Sequence, residues 1–147
     1  ICYGGAKYLN GTIKVKEGTA TLNAGYPFVS INNITAIILP NTMTAITSAR
    51  LGQENPNLKT LIFEGVNPPE AKFVAINNNA LNVYVPLESL ETYKTGALSA
   101  WASQIKPINV ADALPNIGSV AENDLYKIGE VYWKAEMVDN VLTWVEI

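Results

Sequence analysis

The 147 residues are 48% hydrophobic and 16% charged, enough apolar material for one domain with a sizeable core and too much for a disordered chain. Thirteen acidic against ten basic residues give a net charge of −3, with no basic cluster, which argues against binding nucleic acid through its phosphates. There is no histidine, so the usual general base, the hydrolytic triads and most zinc sites are not expected, and no catalytic, cofactor or metal residues are assigned.

The chain begins at Ile1, which is read as following either processing or a further region. Cys2 has no partner for an internal disulfide and no neighbouring base, so it is read as a small structural thiol. No apolar run reaches the ~18 residues of a membrane-spanning helix, so no membrane insertion is expected.

A repeat then dominates the first half. Ile13/Val15, Ile37/Leu39 and Leu61/Phe63 place apolar-x-apolar cores 24 residues apart, and Val83/Val85 follow after 22. Thr21-Leu22 and Ala45-Ile46 are also 24 apart. Each unit offers one strand too short to stand alone, and stacking the units pairs those strands into a parallel ladder over one continuous core. The intervening stretches carry turn signals at Glu17-Gly18, Asn32-Asn33, Asn55-Pro56-Asn57 and Asn67-Pro68-Pro69, and the 77–79 asparagine run reads as another turn. The competing reading is a β-meander, prompted by Asn10-Gly11 between Tyr8-Leu9 and Thr12-Ile13. The solenoid is preferred because its spacing recurs.

From Leu87 the period changes. Leu87, Leu90, Tyr93 or Lys94, Ala97 and Trp101 fall on one helical face, Gly96 weakens or ends the helix, and Pro107 sets an extended exit. This stretch predicts a helical cap over 87–108. After it, 109–124 reads as a linker, and 130–137 with 141–147 alternate apolar and polar residues around Asp139-Asn140, the pattern of a β-hairpin. The predicted fold is therefore an α/β-type leucine-rich-repeat solenoid with irregular short parallel strands (1–86), a helical C-terminal cap (87–108), and a linker with a terminal β-hairpin (109–147).

Side chains between the core pairs point to the outer face of the ladder: Lys14, Ile38, Ile62 and Tyr84. An apolar row there is either an interface for a partner or subunit, or is covered by the hairpin or another domain; both readings stand. Tyr132 and Trp144 of the hairpin are further candidates, as flat surfaces for sugar stacking or as packing residues. Glu64, Glu70, Glu88 and Glu91 are conceivable as paired carboxylates for glycoside hydrolysis but read as solvated charges, since no spacing aims two of them at a shared pocket.

Ile34-Thr35-Ala36-Ile37-Ile38-Leu39-Pro40, Asn57-Leu58-Lys59-Thr60-Leu61-Ile62-Phe63, Val66-Asn67-Pro68-Pro69, Val83-Tyr84-Val85-Pro86, Leu90-Glu91-Thr92-Tyr93-Lys94, Trp101 and Ile105-Lys106-Pro107-Ile108 resemble the BspA-like surface leucine-rich-repeat proteins of Bacteroidales, repeats and terminal cap together. That resemblance implies a non-enzymatic, extracellular adhesion or binding module facing a protein or glycan. Leu114-Pro115, Asp124-Leu125-Tyr126, Gly129, Val131-Tyr132-Trp133 and Trp144-Val145-Glu146-Ile147 resemble short β modules of phage tail-fibre and virion proteins. This second resemblance implies a virion component, trimeric if a fibre, as the alternative; a glycoside hydrolase is the remote third.

Overall fold

The computed structural model describes residues 11–23, 33–47, 56–71 and 80–147. Cys2, the meander alternative around residues 8–10 and the 77–79 asparagine run lie outside the described residues.

The molecule is mostly β, with few helical residues. Its main sheet has eight strands: β1 (Gly11–Lys14), β3 (Ile34–Leu39), β5 (Thr60–Phe63), β7 (Asn82–Pro86), β8 (Ile105–Val110), β9 (Leu125–Ile128), β10 (Val131–Val138) and β11 (Val141–Glu146), in that spatial order. All neighbours up to β9 run parallel, and β10 and β11 are antiparallel additions. A second, three-stranded parallel sheet is made by β2 (Thr21–Asn23), β4 (Ala45–Thr47) and β6 (Glu70–Ala71).

The repeat positions pair in register: Ile13 with Ile37, Ile37 with Leu61, Leu61 with Val83. In the second sheet Leu22 pairs with Ile46 and Ile46 with Ala71. The β-branched and aromatic run of each strand, buried on both faces in β5 and nearly so in β3, is what a covered parallel strand needs. Successive units are also tied through their turns. Gly18 N donates to Thr42 Oγ1 at 3.1 Å, and Thr44 N donates to Ala20 O at 2.7 Å. Between the two sheets lies an apolar core that includes Ile37, Ile46, Leu61, Phe63 and Val83.

The predicted helical cap is corrected. Residues 87–108 hold one six-residue helix, α1 (Leu90–Thr95), with single 3-10 segments at Leu87–Ser89 and Ser99–Gln104. Gly96 follows the helix directly, where a Cβ would come within 2.8 Å of Thr92 O. Helical packing is real, since Tyr93, Leu98 and Trp101 enter the inner core and the Phe63 and Tyr93 rings meet at a tilt of 52° with centroids 5.6 Å apart. Ile105–Val110, however, is a strand. Val83 pairs with Ile105, again 22 residues on, so the segment read as an exit continues the ladder, with Pro107 in place of one backbone donor. The sheet thus runs through the boundary placed at 108/109.

The hairpin forms around Asp139 and Asn140, whose φ values of 50° and 64° are those of a two-residue type I′ turn. Ahead of it β9 joins β10 through Gly129-Glu130, with Gly129 at φ 61°. The sheet curls so that β10 lies over β5. Ile38, Ile62 and Tyr84 on the outer face form a second core with Ile108, Leu125 and Tyr132, against which Ile147 packs. Of the two readings of the outer apolar row, the structure shows the intramolecular cover.

Candidate functional site

The six candidate residues separate into three places. Ile38, Ile62, Tyr84 and Tyr132 are buried together between sheet and cover. Lys14 stays at the rim, its side chain about half exposed and 3.7 Å from Glu64. Trp144 lies on the other face of the hairpin, edge-on to Tyr126 at 5.5 Å, its indole N–H donating to Pro115 O at 3.3 Å. Tyr132 is buried and offers no free ring face, whereas Trp144 is only partly buried.

The cover is fastened by polar contacts. Tyr132 OH donates to Glu64 Oε1 at 2.8 Å, and Tyr84 OH donates to Asn123 O at 2.7 Å. Lys134, wholly buried, donates to Thr60 Oγ1 at 3.0 Å and pairs with Glu136 at 3.0 Å. Burial is the main cause of the upward shift of the Tyr84 hydroxyl, helped by the charges of Glu136 and Asp124. Burial also leads for Tyr132, with the Glu64 hydrogen bond and charge and Glu130 adding to it. For Lys134, burial lowers the ammonium below its usual range while Glu136 pulls the other way.

Where the cover meets the C-terminal ends of β5, β7 and β8, an open cleft of about 420 Å³ remains. Its lining includes Glu64, Val66, Leu87, Glu88, Val110 and Lys127, with Tyr132 and Ile108 behind them. Val66, Leu87 and Val110 are 51%, 59% and 79% exposed, unusual for aliphatic side chains gathered on one concavity. The Lys127 ammonium sits 5.4 Å from the centre of the Tyr132 ring and closes off that face. Thr60, Ile62 and Glu64 alternate along one strand face, which carries Glu64 from the covered interior to the cleft floor.

From sequence, Glu64 reads as a solvated carboxylate and as a flank of the outer face, and Glu88 as a solvated carboxylate. Glu91 instead lies 3.9 Å from Lys94, one turn along the helix, and Glu70 is exposed on β6. Val66, Val110 and Lys127 were missed. Their only signal is an apolar or basic residue just past a strand core, which is weak alone. Among the described residues no cluster of three or more His, Cys, Asp or Glu side chains suits a metal, and no helix is long and apolar enough to cross a membrane. Compared with known protein families, curated proteins and solved structures, the chain matches none.

Proposed function

We propose that the chain is a non-catalytic binding module of the leucine-rich-repeat solenoid type, acting at a bacterial cell surface, and that it takes its partner in the cleft at the strand ends. The solenoid reading is supported by the in-register recurrence of Ile13, Ile37, Leu61, Val83 and Ile105 and by the second ladder through Leu22, Ile46 and Ala71. The observation that carries the binding reading is the convergence of Val66, Leu87 and Val110, each at least half exposed, on one cleft with charged walls. Removing such side chains from water on association is favourable, and a rim of charge gives orientation. The partner is moved from the sheet face to this cleft because the face is filled by the chain's own tail.

The chemistry favours a protein segment over a glycan. Sugars stack on flat aromatic faces, and the one aromatic ring at the cleft, Tyr132, is buried with Lys127 over it. Aliphatic side chains beside Glu88 suit a peptide with an apolar anchor next to a basic residue. In a selection from a random displayed-peptide library, the wild-type chain is expected to enrich apolar-basic motifs. Leu87→Asp, at an exposed position, is expected to abolish that enrichment while leaving the free energy of unfolding within about 0.5 kcal/mol of wild type. Enrichment unaffected by Leu87→Asp, or capture of glycans in place of peptides, overturns the reading.

A further inference from the structure

We infer that β11 is a self-pairing edge, through which two copies of this chain join into one continuous sheet about a two-fold axis. The inference is independent of the cleft and its partner.

The argument starts from the hydrogen-bond phase of the hairpin. A two-residue turn makes Val138 and Val141 a hydrogen-bonded pair, so the odd-numbered residues of β11 face β10. Ile147 N donating to Tyr132 O at 2.9 Å shows the same phase at the far end. The backbone N–H and C=O groups of Leu142, Trp144 and Glu146 therefore point away from the sheet, and none of them is bonded to a described residue.

An edge of this kind is usually guarded by shortness, by Lys or Pro, or by a bulge. The opposite edge strand shows such features: β1 has four residues, an irregular register between Gly11 and Thr12, and a lysine at its end. β11 shows none. It is six residues long, its register with β10 is unbroken, and Glu146 is its one charge. Of the exposed large hydrophobic residues, Met137, Val138 and Val141 cluster at this hairpin, and Val141, 63% exposed, is on the edge itself.

The occupant that fits is a second β11 running antiparallel. With Trp144 opposite Trp144 of the second copy, Leu142 faces Glu146 and Val141 faces Ile147, so the exposed Val141 meets an aliphatic side chain and no like charges oppose. About six backbone hydrogen bonds form, from the three outward residues of each copy. Isologous pairing of this kind closes at two.

Sedimentation equilibrium of the purified chain tests it, with two variants that spare the β10 ladder. Glu146→Pro deletes one outward N–H, and Val141→Lys sets a cation beside Ile147 of the second copy. The wild type is expected to dimerise, and each variant to weaken the dimer at least about tenfold. In the wild-type dimer, amide exchange at Leu142, Trp144 and Glu146 should slow as concentration rises. If Glu146→Pro misfolds, Val141→Lys decides alone, since its side chain is in solvent. A wild type that stays monomeric, forms a trimer or larger assembly, or dimerises indifferently to Val141→Lys overturns the inference.

Discussion

Leu61 and Ile62 are neighbours on β5, both fully buried, and they enter different cores. Leu61 packs between the two sheets among aliphatic and aromatic side chains set by the repeat. Ile62 packs beneath the tail, in a core that also holds two tyrosine hydroxyls and sits beside a buried lysine, each with a specific partner. Apolar contact is non-directional, so it brings a cover down without choosing where it sits. Hydrogen bonds from Tyr132 to Glu64, Tyr84 to Asn123 and Lys134 to Thr60 are directional, and a slipped register would leave them unmade in the interior, at about 1–3 kcal/mol each. The repeat half is thus specified by spacing, and the tail by a few polar locks.

The largest test of that comparison is to truncate the neighbours. Leu61→Ala and Ile62→Ala should each cost about 2–5 kcal/mol in urea unfolding. Equal losses require the tail to close over the sheet in solution. A loss at Ile62 below about 0.5 kcal/mol, the level of an exposed site, would mean the outer face is open.

The asymmetry also explains what could be read from sequence. The 24-residue recurrence at Ile13, Ile37 and Leu61 and the Leu22–Ile46 match are local periodicities, and each became a strand pair. The Asp139-Asn140 turn was legible because it demands residues that tolerate positive φ. β8 was not, although Ile105 follows Val83 by the same 22 residues as Val83 follows Leu61: the helical period and Pro107 masked it. β9 is only four residues long and parallel to its predecessor, a pairing made at a distance that no local pattern encodes. Lys134 looked like the polar position of an alternating strand; that it turns inward depends on Thr60 and Glu136 being in place. The cleft exists only once the tail has closed, so its residues had no common signature.

The second test uses pH. Tyr84, Tyr93 and Tyr132 ionise above the ordinary 10.0 in the folded chain. Above that pH the unfolded chain loses protons that the folded chain keeps, so stability present below it is lost as pH rises. Lys134 acts oppositely: its folded value lies below the ordinary 10.5, so between the two the unfolded chain holds the extra proton and stability rises with pH. The unfolding free energy from urea titrations between pH 7 and 11.5 should therefore rise and then fall steeply, by up to about 1.4 kcal/mol per pH unit for each tyrosine. Tyr84→Phe with Tyr132→Phe should flatten the fall, leaving the Tyr93 share of the inner core, and Lys134→Met should remove the rise. A fall unchanged by the double variant would place both hydroxyls in solvent and unfasten the cover.

The smallest effect lies at the hairpin tip, far from either core, and it asks whether the two halves unfold together. Asn140 sits at φ 64° in solvent. Glycine adopts that conformation freely and valine pays a steric cost of about 1–2 kcal/mol, so Asn140→Gly should be neutral or slightly stabilising and Asn140→Val destabilising by that amount. Among the described residues no hydrogen bond or ion pair joins the turn to the repeat half, so a change it makes in the unfolding of β3 and β5 is expected to travel through the hairpin and its cover. If the polar locks couple the halves, Asn140→Val lowers one shared transition, read alike by tryptophan fluorescence, which reports Trp133 and Trp144 of the hairpin as well as Trp101, and by far-UV dichroism of the whole sheet. If the tail is merely laid on, the fluorescence transition moves ahead and the dichroism splits in two. The second outcome would reduce the cover to an appendage, and the buried state of Ile62 would then be one population among others.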